Sequence, residues 1–537
     1  MKSQDPPIEL LQPIVNLFTN GNYQQALSNS RQLLEKFPNS VILCNISGAS
    51  NAGLMQFDDA IDSYKNALKI NPDYAEAHYN MGIALKDKGD LETAISSYKN
   101  ALKIKPGYAE AYFNMGNILK DKGDFDDAID SYKNALKINP DYAEAHYNMG
   151  IALKDKGDLE TAISSYKNAL KIKPGYAEAY FNMGNILKDK GDFDDAIDSY
   201  KNALKINPDY TEAYSNMGIA LKDKGDFEAA IDSYKKALEV KPDNADAKEN
   251  LISLMTSYSP QKENPNLIVK ANEEIRKIKI KGNISKIISD EQVVNLFSRS
   301  EDCISSFGLE LETKLSQVFR RNSVNLDCTR HMSIFDKHDI IPEFCFGCYK
   351  VQVEPRSIID LIKLFIVFDQ LELNENNTRK CMVELRPEIS GSYKGIIFCS
   401  GLKQAQLIAD HLDIIIKKSI APGLTSSIKR GCSEYAISYP DYKEINQSGP
   451  QLMNFNKDWK VFEESHDRKN SIYSKKIIRK SLYGLNLNDI LIIRKWIDYA
   501  KGIRDPSADL LSQNTVYYQH IYDQARARLD SFDLTSL

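Results

Sequence analysis

The chain has 537 residues, enough for several domains or one long repeat array, with 27% charged residues and a net charge of −5. No apolar run approaches the roughly 20 residues needed to cross a bilayer, and the start, MKSQDPPIELLQ, lacks the apolar core of a signal peptide. Eight scattered cysteines are typical of reduced thiols rather than of a disulfide framework. These features predict a cytoplasmic protein with no membrane association.

The two halves of the chain differ in charge. Residues 258–537 hold 40 Lys and Arg against 36 Asp and Glu, which leaves 29 against 38 in the first 257 residues. An acidic N-terminal half argues against an electrostatic groove for nucleic acid, because such grooves depend on Lys and Arg. Nucleic acid is therefore not an expected partner.

After a short tail, residues 1–6, an array of 34-residue units extends over residues 7–244. At its centre, Ala75–Tyr142 recurs letter for letter as Ala143–Tyr210. A fixed period of this size marks a protein built from stacked repeats. Counting the period outwards gives seven units, of which those at the N-terminal end are the most divergent.

Each unit predicts two helices. In residues 75–108 the first helix runs from Ala75 to Lys88, Gly89-Asp90 breaks it, and the second begins at Leu91. The second helix has one apolar face at i, i+3, i+4 spacing, and a proline ends it. One unit cannot bury that face alone, so neighbouring units complete the core. The residues that mark the unit are Gly82, Ala94, Tyr98, Ala101 and Pro106.

This pattern resembles the tetratricopeptide repeat (TPR), a helix-turn-helix unit. The resemblance implies an all-α TPR superhelix, an α-solenoid, of seven repeats, and we expect residues 245–258 to add a capping helix. It also implies that the first helix of each repeat lines a concave surface where a protein or peptide partner binds.

Position 6 of the unit, on the first helix, is asparagine in five successive repeats: Asn80, Asn114, Asn148, Asn182 and Asn216. The array is similar to that of the O-linked N-acetylglucosamine transferases, and this resemblance implies an asparagine ladder that holds the backbone of an extended peptide. An amide offers both a donor and an acceptor, so it can pair with a peptide of any sequence. The alternative is that asparagine is simply common at this position.

The resemblance to the transferases does not extend to their catalytic half, because no Gly-rich phosphate loop opens a helix after the repeats. A second repeated row, at positions 12 and 13, runs from Lys86-Asp87 to Lys222-Asp223. Such alternating charges are typical of a solvated helix face.

The period ends before residues 259–341, which we interpret as a linker and an irregular helical region that includes a helix over Leu309–Phe319. Residues 342–442 then predict an α+β domain. Its order, βαββαβ, is that of the ferredoxin-like fold. Residues 443–537 form a partly helical extension with one helix over Asn488–Lys501. The predicted elements of the α+β domain are strand Phe344–Glu354, helix Ser357–Leu371, strands Lys380–Arg386 and Tyr393–Ser400, helix Leu402–Ser419 and strand Ser426–Tyr439.

Four residues before and inside the first strand have the spacing of a zinc site: Cys328, His331, Cys345 and Cys348. Residues i and i+3 of a strand point to opposite faces, however, so only a turn at Gly347 would bring both sulfurs of the second pair together. The alternative is that these cysteines are small buried apolar residues. The sequence leaves both interpretations open and indicates no other cofactor.

Polar residues alternate along the predicted strands and indicate one charged sheet face that the two helices leave uncovered. This face is a candidate ligand surface, although a half-solvated sheet is ordinarily polar on one side. Lys394–Cys399 faintly resembles the ribonucleoprotein motif of RNA-recognition domains, but without a basic excess in the region. The residues of the charged face are Lys350, Gln352, Glu354, Glu384, Arg386, Arg430 and Glu434.

These patterns favour a protein-interaction scaffold whose TPR groove binds an extended peptide or a partner protein. The C-terminal half carries no motif that identifies a family. The alternative is an enzyme or metal-binding protein, with catalysis in the α+β domain and substrate recruitment by the repeats. No serine or cysteine stands in a recognisable nucleophile motif, which favours the scaffold.

Overall fold

The structure is a computed structural model in which the chain forms two compact units. The first unit comprises Met1–Leu187 and Asp198–Pro208, and the second comprises Lys188–Ile197 and Asp209–Leu537. The residues that the structure describes are 5–260, 264–279, 286–320, 328–375, 377–386, 389, 391–432, 435, 438–446, 451–470, 482–511 and 519–533.

Tandem helix pairs follow one another through the repeats, which confirms the predicted α-solenoid. These helices are α1 (Ile8–Thr19), α2 (Tyr23–Lys36), α3 (Val41–Gly53), α4 (Phe57–Ile70), α5 (Ala75–Lys88), α6 (Leu91–Ile104), α7 (Ala109–Asp121), α8 (Phe125–Ile138), α9 (Ala143–Lys156), α10 (Leu159–Ile172), α11 (Ala177–Lys190), α12 (Phe193–Ile206), α13 (Thr211–Lys224), α14 (Phe227–Val240) and α15 (Ala245–Met255).

Local chemistry explains the boundaries of each helix pair. Helix α5 has the predicted bounds and ends at Gly89, whose φ of +95° lies in the left-handed region that glycine adopts without strain. The Oδ1 atom of Asp90 then accepts a hydrogen bond from the amide of Thr93 at 3.3 Å and so caps α6. Helix α6 ends at Ile104, before Pro106.

Within a repeat, a glycine of the first helix lies against a tyrosine ring of the second. A Cβ atom added to Gly82 would stand 2.6 Å from Cε1 of Tyr98, and Tyr98 is fully buried. Only glycine therefore lets the two helices approach this closely. The same contact recurs in the pairs Gly48–Tyr64, Gly116–Tyr132, Gly150–Tyr166, Gly184–Tyr200 and Gly218–Tyr234.

The second unit continues with helices around one sheet. The helices are α16 (Leu267–Lys277), α17 (Asp290–Ser306), α18 (Cys328–His338), α19 (Glu343–Gly347), α20 (Ile358–Gln370), α21 (Leu402–Ser419), α22 (Pro440–Lys443), α23 (Lys460–Asn470), α24 (Leu487–Gly502) and α25 (Gln519–Asp533). The strands are β1 (Gln317–Arg320), β2 (Tyr349–Val353), β3 (Arg379–Val383), β4 (Tyr393–Cys399) and β5 (Ser426–Arg430).

The five strands form one antiparallel sheet in the order β1-β3-β4-β2-β5. In its centre Val351 of β2 stands opposite Ile397 of β4 on one side and Ile428 of β5 on the other. Along the chain, β2 to β5 alternate with α20 and α21 in the predicted order. The fifth strand, β1, was not predicted, and the ferredoxin-like class stays a prediction.

Four elements differ from the prediction. Two strands are shorter than expected: that over Ser426–Tyr439 ends at Arg430, and that over Lys380–Arg386 is Arg379–Val383. The strand expected over Phe344–Glu354 begins only at Tyr349, because the residues after Pro342 form the short helix α19. The helix expected over Leu309–Phe319 is wrong. The end of that segment belongs to β1. There the pairing with β3 outweighs the helical spacing of the apolar residues.

Helix α24 lies at the centre of the second unit. It extends the predicted helix by one residue at each end, and every residue from Leu487 to Ala500 is buried. Arg320 of β1 forms an ion pair with Asp489 of this helix at 2.6 Å and a second one with Asp369 of α20 at 2.8 Å. All three side chains are buried. Among the described helices, none is both long and apolar enough to cross a membrane.

Candidate functional site

Within the first unit, the predicted asparagines join the first helices of successive repeats. Each donates through Nδ2 to the first helix of the preceding repeat and is half-buried. The four bonds are Asn80 to Asn45 Oδ1 at 3.1 Å, Asn114 to the Tyr79 hydroxyl at 3.0 Å, Asn148 to Asn117 Oδ1 at 2.8 Å and Asn182 to the Tyr147 hydroxyl at 3.0 Å. The fifth residue, Asn216, is half-buried on α13 in the second unit.

The acceptor of these bonds alternates because the repeats alternate in sequence. Position 5 is Tyr79 in one repeat and Phe113 in the next, and phenylalanine has no hydroxyl. Asn114 can therefore bond the residue at position 5 of the preceding repeat, whereas Asn148 bonds position 9, Asn117. The row of amides thus repeats with a period of two units.

Asn117 was not predicted as part of the row. Its Oδ1 accepts from Asn148 and also from the hydroxyl of Tyr132, at 2.8 Å in each case. In the neighbouring unit the same position is Ile83, and the hydroxyl of Tyr98 has no partner in the described part of the chain. The alternation of isoleucine and asparagine at position 9 was the available signal.

The asparagine row retains capacity for a ligand. The side-chain amide of asparagine can donate two hydrogen bonds through Nδ2 and accept at Oδ1. The bonds within the row use one Nδ2 hydrogen of each asparagine. Within residues 5–187, the Oδ1 atoms of Asn80, Asn114, Asn148 and Asn182 accept no hydrogen bond. Each of the four amides can therefore still pair with a peptide group laid across the first helices.

The repeated Lys-Asp row behaves as a solvated face. In each of the five repeats that carry the pair, the lysine bonds the aspartate beside it, and exposed pairs of this kind contribute little to stability. The distances are 3.1 Å for Lys86–Asp87, 2.5 Å for Lys120–Asp121, 3.0 Å for Lys154–Asp155, 2.8 Å for Lys188–Asp189 and 3.8 Å for Lys222–Asp223.

The suggested zinc ligands are not all together. Cys328 lies near His331 and Cys348, and its thiol shares a hydrogen bond with that of Cys432. The Sγ atom of Cys345 is 3.5 Å from the Tyr435 hydroxyl in a buried cluster, while Cys348 stands beside Gly431 of the sheet. His331 stacks on Phe344 with ring centroids 5.1 Å apart. Across the described residues, no three His, Cys, Asp or Glu side chains form a group that could hold a metal ion.

The charged sheet face is neither uniform nor open. Lys350 and Gln352 share one face, but they are buried, and Arg430 lies on the opposite face beside the Tyr349 ring. The expected open face was therefore wrong over most of the sheet, because Lys350, Gln352 and Glu384 are buried and only Glu354 and Arg386, near the strand ends, are exposed. Glu434 lies outside the described residues.

Around Glu384 this face holds a closed ion network. Burial disfavours the charge, but hydrogen bonds from Arg386 and Lys394, at 2.9 Å each, outweigh it and lower the pKa of Glu384 to about 2. Glu384 thus joins the buried Lys394 to the half-exposed Arg386, which is a structural role.

The helix pairs and their repeating contacts define a helical repeat protein, and family models identify the repeat. The model of a TPR repeat matches residues 56–89, 84–123, 116–157, 150–191 and 184–225, and that of the tetratricopeptide repeat matches residues 211–244. Residues 56–244 are therefore tetratricopeptide repeats. The C-terminal half matches no family model.

Curated relatives match the repeats over short stretches. Over 76 residues, 14% of this chain, it is 33% identical to the probable UDP-N-acetylglucosamine–peptide N-acetylglucosaminyltransferase SEC of Arabidopsis thaliana. Over 75 residues, 13% of this chain, it is 36% identical to the Photosystem I assembly protein Ycf3 of Acaryochloris marina (strain MBIC 11017). The chain spans 8% of the first relative and 45% of the second.

Solved TPR structures are similar to part of the chain. MamA is 33% identical, and the match covers 31% of this chain and 96% of MamA with a TM-score of 0.30. YrrB, described as a TPR protein with an unusual peptide-binding site, is 24% identical, and the match covers 35% of this chain and 96% of YrrB with a TM-score of 0.32.

Proposed function

We propose that this protein is a cytoplasmic interaction scaffold whose tetratricopeptide repeats bind an extended segment of a partner protein. Asn80, Asn114, Asn148, Asn182 and Asn216 would hold the backbone of that segment. The observation that supports this proposal is the row of half-buried amides in the first unit, each with an acceptor that no described residue uses. A row with one such amide in each repeat can pair with several peptide groups along one extended chain.

A binding selection on the full chain tests the proposal. Peptides selected from a random displayed library should bind the wild-type protein, and changing Asn114, Asn148 and Asn182 together to alanine should weaken them. Each lost hydrogen bond costs about 1 kcal/mol, so we expect the triple variant to bind roughly 100-fold more weakly. Isothermal titration calorimetry measures the change.

The matched control changes the same residue type in the same repeats on the second helices, namely Asn134, Asn168 and Asn202. That variant should bind as the wild type does, because these amides lie on α8, α10 and α12 rather than in the row. Equal affinity of both triple variants for the selected peptides, with unchanged helicity, would show that the row does not hold the ligand.

For the C-terminal half we propose a domain with a ferredoxin-like arrangement of β2 to β5. The order of its elements supports this class. We extend its predicted boundaries, 342–442, to include β1 and α24, because Arg320 and Asp489 are joined in its core. Residues 259–537 should then give a cooperative thermal transition, whereas a cooperative transition of residues 342–442 alone would contradict the extension.

A further inference from the structure

In the first unit, both copies of the duplicated block carry a glutamate at position 2 of each repeat, in the first turn of the first helix. These residues are Glu76 and Glu110 in the first copy and Glu144 and Glu178 in the second. They lie on the helices that also carry the asparagine row. The four glutamates differ in whether a lysine neutralises them.

One glutamate of each copy is neutralised by a lysine at the end of its own repeat. Nζ of Lys105 lies 3.3 Å from Oε1 of Glu76, and Nζ of Lys173 lies 3.3 Å from Oε1 of Glu144. The ammonium of Lys105 also stands 4.4 Å from the centroid of the Tyr108 ring, which holds it further in this place. These two glutamates therefore have their charge compensated within the repeat.

The other glutamate of each copy has no such lysine. In these two repeats the residue at position 31 is asparagine, Asn139 and Asn207, where the alternate repeats have lysine. Glu110 and Glu178 are both exposed, and neither forms an ion pair with any residue that the structure describes. Each copy thus keeps one uncompensated carboxylate.

The lysines nearest to Glu110 along the chain do not supply its counter-charge, because each is engaged elsewhere. Before α7, Lys105 is held by Glu76. At the end of α7, Lys120 pairs with Asp121. The negative charge of Glu110 is therefore available to a ligand.

The uncompensated carboxylate lies beside the asparagine row. On α7, Glu110 is four residues before Asn114, a spacing that places both on one face of the helix. Both also act on the hydroxyl of Tyr79: burial and the charge of Glu110 raise its pKa, against the hydrogen bond that Asn114 donates to it at 3.0 Å. The corresponding residues of the second copy are Glu178, Asn182 and Tyr147, with the same hydrogen bond at 3.0 Å.

We propose that the segment bound along the asparagine row is basic, with a Lys or Arg side chain on Glu110 and another on Glu178. This inference rests on the function proposed for the repeats and adds the chemical class of the partner. A carboxylate next to an amide that holds the peptide backbone attracts a cationic side chain and repels an acidic one. Because the two copies are identical in sequence, a ligand residue that suits one suits the other.

Three mixtures of acetylated heptapeptides test the inference by competition with a fluorescent peptide from the library selection. Lysine, norleucine or glutamate is fixed at the central position, and the other positions are random among uncharged residues. The full chain should bind the lysine mixture about twofold to fivefold more tightly than the norleucine mixture, and the glutamate mixture most weakly. The preference for lysine should shrink as the salt concentration rises, because salt screens exposed charges.

Two pairs of substitutions should remove the preference for lysine. Glu110→Gln with Glu178→Gln deletes the two carboxylates. Asn139→Lys with Asn207→Lys instead gives both repeats the lysine that the alternate repeats already carry, so it should neutralise the carboxylates without removing them. In each double variant the lysine and norleucine mixtures should bind equally.

Ser96→Lys with Ser164→Lys is the matched control. It adds two positive charges at exposed positions of the second helices α6 and α10, and it should leave the preference for lysine unchanged. Equal binding of the lysine and norleucine mixtures by the wild type, or a preference that survives Glu110→Gln with Glu178→Gln, overturns this inference but not the proposal for the asparagine row. Binding of none of the three mixtures would overturn both.

Discussion

Replacing Arg320 by methionine should lower the free energy of unfolding of the second unit by about 3–5 kcal/mol. The substitution leaves Asp369 and Asp489 buried at the same place with no cation between them. Burial already raises the pKa of Asp489 above its ordinary value, even with Arg320 present. Urea denaturation, followed by the fluorescence of Trp496 in α24, reports the loss.

The pH dependence of this variant separates charge from packing. Without Arg320 the pKa of Asp489 in the folded state should rise further above its value in the unfolded chain. The folded state then binds more protons than the unfolded one at mildly acidic pH, so the loss of stability should shrink as pH falls from 7 to 5. Arg356→Met is the control, because Arg356 is exposed and should cost less than about 0.5 kcal/mol. A pH-independent loss would mean that the methionine simply fits badly.

Gly150→Val should cost the repeat array about 3 kcal/mol or more. A Cβ atom at Gly150 would stand 2.6 Å from Cε1 of Tyr166, and Tyr166 is fully buried, so its ring has no space to move into. Either α9 and α10 separate or the ring leaves its position, and both disturb the neighbouring interfaces. Thermal unfolding monitored by circular dichroism gives the cost.

The array supplies its own controls for this substitution. Gly175→Asp should be nearly neutral, because nothing lies near that position and the chain itself has Asp141 and Asp209 at the same place in other units. Gly82→Val should cost as much as Gly150→Val, since Gly82 meets Tyr98 at the same 2.6 Å. Markedly different costs at Gly82 and Gly150 would show that the two copies are not equivalent.

The repeats could be predicted closely because their determinants are local. The bounds of α5 follow from Gly89 and Asp90, and those of α6 from Asp90 and Pro106. The face of the asparagine row was also predictable, because position within a 34-residue unit fixes position on the helix. The hydrogen-bond partners of the row were not predictable, because the acceptor in the preceding repeat alternates between position 5 and position 9.

The C-terminal half was harder because its core is made of long-range contacts. Strand β1 has only four residues, and it is a strand only because β3 lies beside it. Helix α24 was predicted as a helix, but nothing local indicated that its Asp489 would reach Arg320, 169 residues away in the sequence.

The identical copies give the array two equivalent ways to assemble. Helices α4 and α8 have the same sequence, FDDAIDSYKNALKI, and so do α5 and α9, so α4 can dock on α9 as well as on its proper neighbour. Looping out residues 71–142 between them loses the interfaces of that segment but adds little entropy cost, since each doubling of a loop costs only about 0.6 kcal/mol. Such a slipped register is a trap in folding, and escape from it should appear as a slow refolding phase that a variant lacking Ala143–Tyr210 does not show.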